Sequence, residues 1–76
     1  MENEKTVTIG SLVTIKEGKQ KSEKFLVVGI NEGTSSEGNI SNNSPIGKAL
    51  MRHRAGEKVT AKTPGGMITL LILDIE

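Results

Sequence analysis

The stretch SNNSPIGKAL, residues 41–50, decides the fold of this chain because it holds the clearest helix start in the sequence. Ser44 is a suitable N-cap, since its hydroxyl can accept a hydrogen bond from an otherwise unpaired amide of the first helical turn. Pro45 follows at the first helical position, where its missing N–H costs nothing and its fixed φ suits the helix. An apolar stripe follows at i, i+3 and i+4, formed by Ile46, Ala49 and Leu50. The stretch therefore predicts one short helix that begins at Pro45.

The predicted helix runs for about two to three turns and ends in the basic segment Arg52-His53-Arg54. Cations at that end complement the helix dipole. Gly47 stands where a glutamate would complete a capping box, so that motif is absent. Because a helix of this length is not stable alone in water, we expect it to lie on a sheet.

Apolar and β-branched residues on both sides of the helix predict that sheet. The predicted strands are residues 7–15 with a bend near Gly10-Ser11, residues 25–28, a very short strand at Ile40, residues 58–62 and residues 68–75. The strand over residues 25–28 is apolar on both faces, which suggests that it is covered on both sides. The last strand is the longest and nearly all apolar, so we expect it to be central.

Turn residues separate these strands. Residues 16–20, centred on Gly18, and Thr-Pro-Gly-Gly at residues 63–66 predict two tight turns. Residues 31–39 are rich in Gly, Ser, Asn and Glu and predict a mobile surface loop. The predicted class is α+β, an antiparallel sheet packed on one short α-helix.

The composition predicts one domain over residues 7–76, preceded by a polar tail over residues 1–6. The chain has no cysteine, which excludes disulfides and thiolate metal sites and favours a reducing compartment. No stretch approaches the ~20 apolar residues of a membrane helix, and the polar start is not a signal peptide, so we expect a cytoplasmic protein with no membrane partner. A formal net charge of +1 and a single aromatic residue, Phe25, argue against direct nucleic-acid binding.

No group of side chains is spaced for catalysis or metal binding. His53 is the only histidine, and a solvated cation at the helix end is its simplest interpretation. Ser44 and His53 would lie about 13 Å apart along the helix, too far for a nucleophile and its base. Asp74 is the only aspartate, and the glutamates are not paired. We therefore expect that the chain is not an enzyme and has no catalytic residue, metal or cofactor. We also expect a monomer.

The remaining question concerns the surface around residues 41–46, where small polar groups stand beside a rigid proline and an apolar residue. A capped helix start alone explains Ser44 and Pro45. A preformed recognition corner, with Ile46 as an apolar contact, explains the same residues. The residues by themselves leave both interpretations open.

Two motifs resemble one protein family. SNNSPIGKAL at residues 41–50, followed by Gly56-Glu57 and by Thr-Pro-Gly-Gly at residues 63–66, is similar in order and spacing to the C-terminal domain of the bacterial Gre (GreA/GreB) transcription elongation factors. The similarity runs from residue 7 to residue 75. It implies an FKBP-like fold, in which a strongly twisted antiparallel sheet wraps one short helix.

The resemblance also implies a partner, bacterial RNA polymerase. In that family the domain docks at the rim of the polymerase secondary channel, on a coiled coil of the β′ subunit. Carried over to this chain, the candidate contacts are Asn43, Ser44, Pro45, Ile46, Lys48 and Arg52. The two cations would form a charged rim, although a solvated face explains them equally well.

Gre factors stimulate transcript cleavage through an N-terminal helical hairpin with an acidic tip, and these 76 residues contain no such hairpin. If the chain is complete, it is expected to dock without stimulating cleavage, and either to block other channel-binding factors or to serve as a separate docking piece. If it is a piece of a longer protein, its parent is expected to be an ordinary Gre factor.

The sequence departs from the family pattern in three places. Arg52 stands where the family often has glycine, so the sequence does not define the C-cap geometry of the helix. Phe25 replaces a common tyrosine. Residues 31–38 are less acidic than the corresponding family segment. Two other functions remain as alternatives. The first is an interaction module like the regulator of nucleoside diphosphate kinase, which shares this domain. The second is an FKBP-type peptidyl-prolyl isomerase, which would need several aromatic side chains around its pocket.

Overall fold

The fold, taken from a computed structural model, is described for residues 5–29 and 38–76. Its elements are β1 (Leu12–Glu17), β2 (Glu23–Val28), β3 (Asn39–Ser41), α1 (Pro45–Leu50), β4 (Lys58–Thr63) and β5 (Gly66–Ile75). The strands form one sheet in the order β3-β2-β1-β5-β4. The predicted α+β class, a curled sheet carrying one short helix, is confirmed.

The sheet departs from the predicted antiparallel pattern at one pair of strands. β1 pairs antiparallel with β2 and β5, and β4 pairs antiparallel with β5, whereas β2 and β3 run parallel. A parallel neighbour requires a crossover instead of a tight turn, and residues 29–38 separate β2 from β3 in the sequence. The loop predicted over residues 31–39 lies outside the described residues except for its last two, and so do residues 1–4 of the predicted tail.

The first predicted strand is two separate segments. β1 begins at Leu12, after Gly10 adopts a positive φ of 98° at the expected bend. Val7 pairs instead with the chain that follows the helix: its N–H donates to the carbonyl of His53 at 3.0 Å, and its carbonyl accepts from the N–H of Arg52 at 2.9 Å. This pairing buries Val7 completely.

The core lies between one face of the sheet and α1. Its fully or nearly fully buried side chains include Val13, Val27, Leu50, Leu70 and Ile72. β5 is an interior strand with partners on both sides, but the middle of the sheet is β1. The prediction that residues 25–28 are covered on both sides is wrong, because the face of β2 that points away from the core leaves Leu26 37% exposed.

The helix is shorter than predicted. It ends at Leu50, so Arg52, His53 and Arg54 lie beyond it, and Lys48 is the basic residue of its last turn. Arg52 has φ 72°, and among the described residues it is the only non-glycine with a positive φ. This left-handed residue turns the chain toward Val7, where the Arg52 N–H finds its acceptor. No helix in the described part of the chain is long and apolar enough to cross a membrane.

Candidate partner-binding surface

The start of α1 is capped as the sequence predicts. The Ser44 hydroxyl accepts a hydrogen bond from the Gly47 N–H at 3.0 Å and donates one to the Ser41 carbonyl at 2.7 Å. Ser44 itself has an extended backbone, and Pro45 occupies the first helical turn. The hydroxyl therefore joins the helix to the end of β3 instead of satisfying the helix alone.

Ser41 accepts most of the hydrogen bonds that hold the chain between β3 and α1. Its carbonyl also accepts from the Ser44 N–H at 3.0 Å, and its hydroxyl accepts from the Asn43 N–H at 3.1 Å. The Asn42 N–H donates to the carbonyl of Val28 at 2.8 Å, which ties the same turn to β2. Backbone and side-chain hydrogen bonds thus hold residues 41–47 in one conformation, here called the docking corner.

Gly47 is a residue of this corner whose role sequence reasoning missed. A Cβ atom added to Gly47 would overlap the Ser41 carbonyl oxygen and would lie 2.9 Å from the Ser41 carbonyl carbon. The helix can approach β3 this closely only because residue 47 has no side chain. A glycine in the first turn of a six-residue helix, where it weakens the helix, is the sequence signal that pointed to such a contact.

The predicted contact residues differ in exposure. Asn43, Pro45, Lys48 and Arg52 are exposed, while Ser44 and Ile46 are half-buried. Ile46 packs against the core with its inner side, so it is both a structural residue and a surface residue. Arg52 lies beyond the helix and lines neither of the two surface depressions beside the docking corner, whereas the other exposed candidates share one of them.

These two depressions flank the docking corner. A groove of ≈ 420 Å³ between α1 and β4, here called the basic groove, is lined by Asn43, Pro45, Lys48, Ala49, Thr60, Ala61 and Lys62. A smaller pocket of ≈ 160 Å³, here called the Phe25 pocket, is lined by Ile15, Glu17, Gln20, Lys21, Glu23, Phe25, Ile46 and Leu70. The structure therefore brings Asn43, Pro45 and Lys48 together on one side of the corner and places Ile46 on the other side.

His53 lies beyond the helix end, and its side chain is hydrogen-bonded as well as partly exposed to solvent. Its Nδ1 lies 2.7 Å from Glu57 Oε1, and the other carboxylate oxygen of Glu57 accepts from the Arg54 N–H at 3.0 Å. These hydrogen bonds, that from His53 first, lower the pKa of Glu57 below its ordinary value of 4.5. The pair braces the segment between α1 and β4. The described residues contain no group of three or more metal-ligating side chains.

Solved structures similar to this chain include two transcription factors. The crystal structure of Thermus aquaticus Gfh1 superposes with a TM-score of 0.77 at 26% identity, over 96% of this chain and 49% of that one. The prokaryotic elongation factor GreA/GreB from Nitrosomonas europaea, at 24% identity and a TM-score of 0.70, shares the fold over 91% of this chain and 58% of its own. The chain therefore has the fold of about half of each of these proteins.

Sequence comparison identifies the family. The family described as "Transcription elongation factor, GreA/GreB, C-term" matches residues 2–76. Transcription elongation factor GreA of Roseiflexus sp. (strain RS-1) is 48% identical over 71 residues, which cover 92% of this chain and 45% of the relative. GreA of Bacillus cereus (strain ATCC 14579) is 44% identical, with the same coverage of both chains. The chain belongs to the GreA/GreB C-terminal domain family, and it spans about half the length of the curated relatives it matches.

Proposed function

We propose that this chain is a non-catalytic docking module for bacterial RNA polymerase. It binds the β′ coiled coil at the rim of the secondary channel and thereby takes part in, or modulates, transcription elongation. Family membership supports the elongation role. The observation that supports docking is the corner itself, in which Ser41 and Ser44 fix a proline that remains exposed.

A fixed corner suits recognition because little conformational entropy is lost when it binds. Ser41 accepts three hydrogen bonds and the Gly47 N–H donates one to the Ser44 hydroxyl, so the backbone is held before any partner binds. Pro45 adds its own restricted φ. The partner would therefore meet a rigid apolar edge made by Pro45 and Ile46, with the exposed Asn43 amide beside it.

The module acts without chemistry of its own. The Phe25 pocket does not suit an isomerase, which would need several aromatic side chains around a proline ring, because it is lined by one aromatic residue together with Glu17, Lys21 and Glu23. The described residues contain a single helix, so these 76 residues alone would not stimulate transcript cleavage. They would act by occupying the docking site in the cytoplasm, where they compete with other factors for it.

The direct test replaces the exposed proline and measures binding to core RNA polymerase. Pro45→Asn should weaken binding about tenfold, because the edge loses both its shape and its apolar contact. Ala55→Asn introduces the same residue at an exposed site that lines neither the basic groove nor the Phe25 pocket, and it should bind like the wild type.

Circular dichroism and urea unfolding of both variants accompany the binding measurement. A Pro45→Asn variant that remains folded and binds with unchanged affinity would contradict docking through this corner. A variant that unfolds under native conditions would show that the corner is structural, and the docking role inferred from it would then be withdrawn.

A further inference from the structure

We propose that the basic groove binds a carboxylate-bearing segment of the protein that docks on the corner. This inference rests on the proposed docking function and adds the chemistry of the partner. The groove contains two cations from different elements, Lys48 of α1 and Lys62 of β4. No acidic residue lines it.

Neither ammonium group is neutralised within the described residues. The ion pairs there join Lys24 to Glu76, His53 to Glu57 and Arg54 to Glu57, and none involves the groove. Both lysines are exposed, so each can turn toward the groove without loss of a partner. Two cations in one cleft attract an anion more strongly than either does alone, because their potentials add.

The groove continues the docking corner, so a partner on the corner also reaches it. Asn43 and Pro45 belong to the corner and also line the groove. The hydroxyl of Thr60 and the amide of Asn43 can donate hydrogen bonds to carboxylate oxygens beside the two ammonium groups. A carboxylate next to the partner's contact with Pro45 would therefore be held by both charge and hydrogen bonds.

A protein carboxylate fits this groove better than a nucleic-acid phosphate. Pro45, Ala49 and Ala61 give the groove apolar walls, which suit a side chain more than a sugar–phosphate strand. Single-stranded nucleic acid is usually held by a longer cationic track with aromatic residues for stacking. The one aromatic residue of this chain, Phe25, lies in the other pocket.

Opposite charges on the two sides of the corner would fix the orientation of the partner. The rim of the Phe25 pocket carries Glu17 and Glu23 beside the single cation Lys21, whereas the basic groove carries only cations. A partner that reversed its direction across Ile46 would place its carboxylates against the glutamates. Complementary charge patterns of this kind act mainly on specificity and association rate.

The first test uses a hexaglutamate peptide as the probe in an NMR titration of the ¹⁵N-labelled chain. We expect saturable amide shifts at Asn43, Lys48, Thr60 and Lys62. Lys62→Glu should weaken this binding about tenfold, because repulsion replaces attraction. Lys58→Glu is the matched control: it makes the same charge change at an exposed position on the same face of β4 but outside the groove, and should alter affinity by about twofold at most.

Three outcomes of this titration would overturn the proposal. The shifts could spread over exposed lysines across the surface, or the two variants could weaken binding equally. A six-nucleotide thymidine oligonucleotide, titrated in parallel, could also bind more tightly than the peptide, which would show that the groove is a phosphate site instead.

The second test measures the same variants against core RNA polymerase. Selective weakening by Lys62→Glu supports the proposal, whereas tight binding that is indifferent to this change overturns it. Failure of the wild type to bind polymerase contradicts the docking function separately, and the hexaglutamate titration then decides the groove on its own.

Discussion

Gly47 shows how one missing side chain sets the position of an element. Its Cα faces the Ser41 carbonyl so closely that any Cβ would overlap the carbonyl oxygen. Gly47→Ala should therefore destabilise the domain by about 2 kcal/mol, since the cost of overpacking against backbone exceeds the gain in helix propensity. Urea unfolding measures the change.

Gly65→Ala is the matched control for this substitution. Gly65 does not have a positive φ, and the nearest atom to an added Cβ is Thr63 Oγ1 at 3.9 Å. Its variant should stay within about 0.5 kcal/mol of the wild type. Equal stability of Gly47→Ala and the wild type would show that α1 can move away from β3 without loss.

Arg52 stores backbone strain at the end of the helix. It adopts φ 72°, in the left-handed region that favours glycine, and a side chain in this region costs about 1 kcal/mol. Arg52→Gly should therefore stabilise the domain by about 0.5 to 1 kcal/mol in thermal or urea unfolding. Arg52→Ala removes the guanidinium and keeps the strain, so it should give no such gain. A less stable Arg52→Gly variant would show that the side chain contributes more than the strain costs.

At the scale of elements, α1 depends on its surroundings. Six residues are too few for a helix to persist alone, so its stability comes from the Ser44 cap, the close contact with Ser41 and the burial of Leu50. The sequence contained the cap and the apolar stripe, and both predictions are confirmed. It could not give the end of the helix, because that end is set by a long-range hydrogen bond between Arg52 and Val7.

The segment between α1 and β4 should make the free energy of unfolding depend on pH in the acid range. Hydrogen bonds from His53 and from the Arg54 N–H hold the pKa of Glu57 below 4.5 in the folded chain. The folded state therefore binds fewer protons than the unfolded state in acid, so this contribution is present above about pH 4.5 and is lost as the pH falls through the lowered pKa.

Glu57→Gln tests this dependence in urea unfolding measured between about pH 3 and pH 6. The variant should show a flatter decline of the free energy of unfolding over that range than the wild type. His53→Gln alters the hydrogen bond that contributes most to the lowered pKa of Glu57, so it should flatten the decline in part. Identical profiles for Glu57→Gln and the wild type would show that the pair does not stabilise the fold.

For the whole molecule, local patterns predicted most strands, but pairing across the sheet was beyond them. Alternation and turn residues indicated β4, β5 and the hairpin between them. The antiparallel pairing of β4 with β5, which ends at the turn with Thr63 opposite Gly66, confirms this hairpin. The parallel pairing of β2 with β3 could not be predicted, because Ile40 is a single apolar residue and carries no information about its neighbour. Likewise, Val7 lies in an apolar run that continues toward β1, so the sequence placed it in the same strand. Its backbone hydrogen-bond partners, residues 52–53, are distant in sequence and could not be predicted.

The candidate site was predicted only in part, because some of its residues belong to a local motif and others are brought together by the tertiary fold. The helix start is a local motif, so Ser44, Pro45 and Ile46 could be named from the sequence. Thr60 and Lys62 could not, because the groove forms only when β4 packs beside α1. The docking role of all these residues stays a prediction.

The central claim is that the domain occupies the docking site used by longer Gre factors. The most direct measurement is a titration of the labelled chain with core RNA polymerase, followed by addition of a full-length GreA as competitor. We expect saturable binding that the competitor displaces completely. Absence of binding at about 50 µM polymerase, or binding that full-length GreA does not displace, would contradict it.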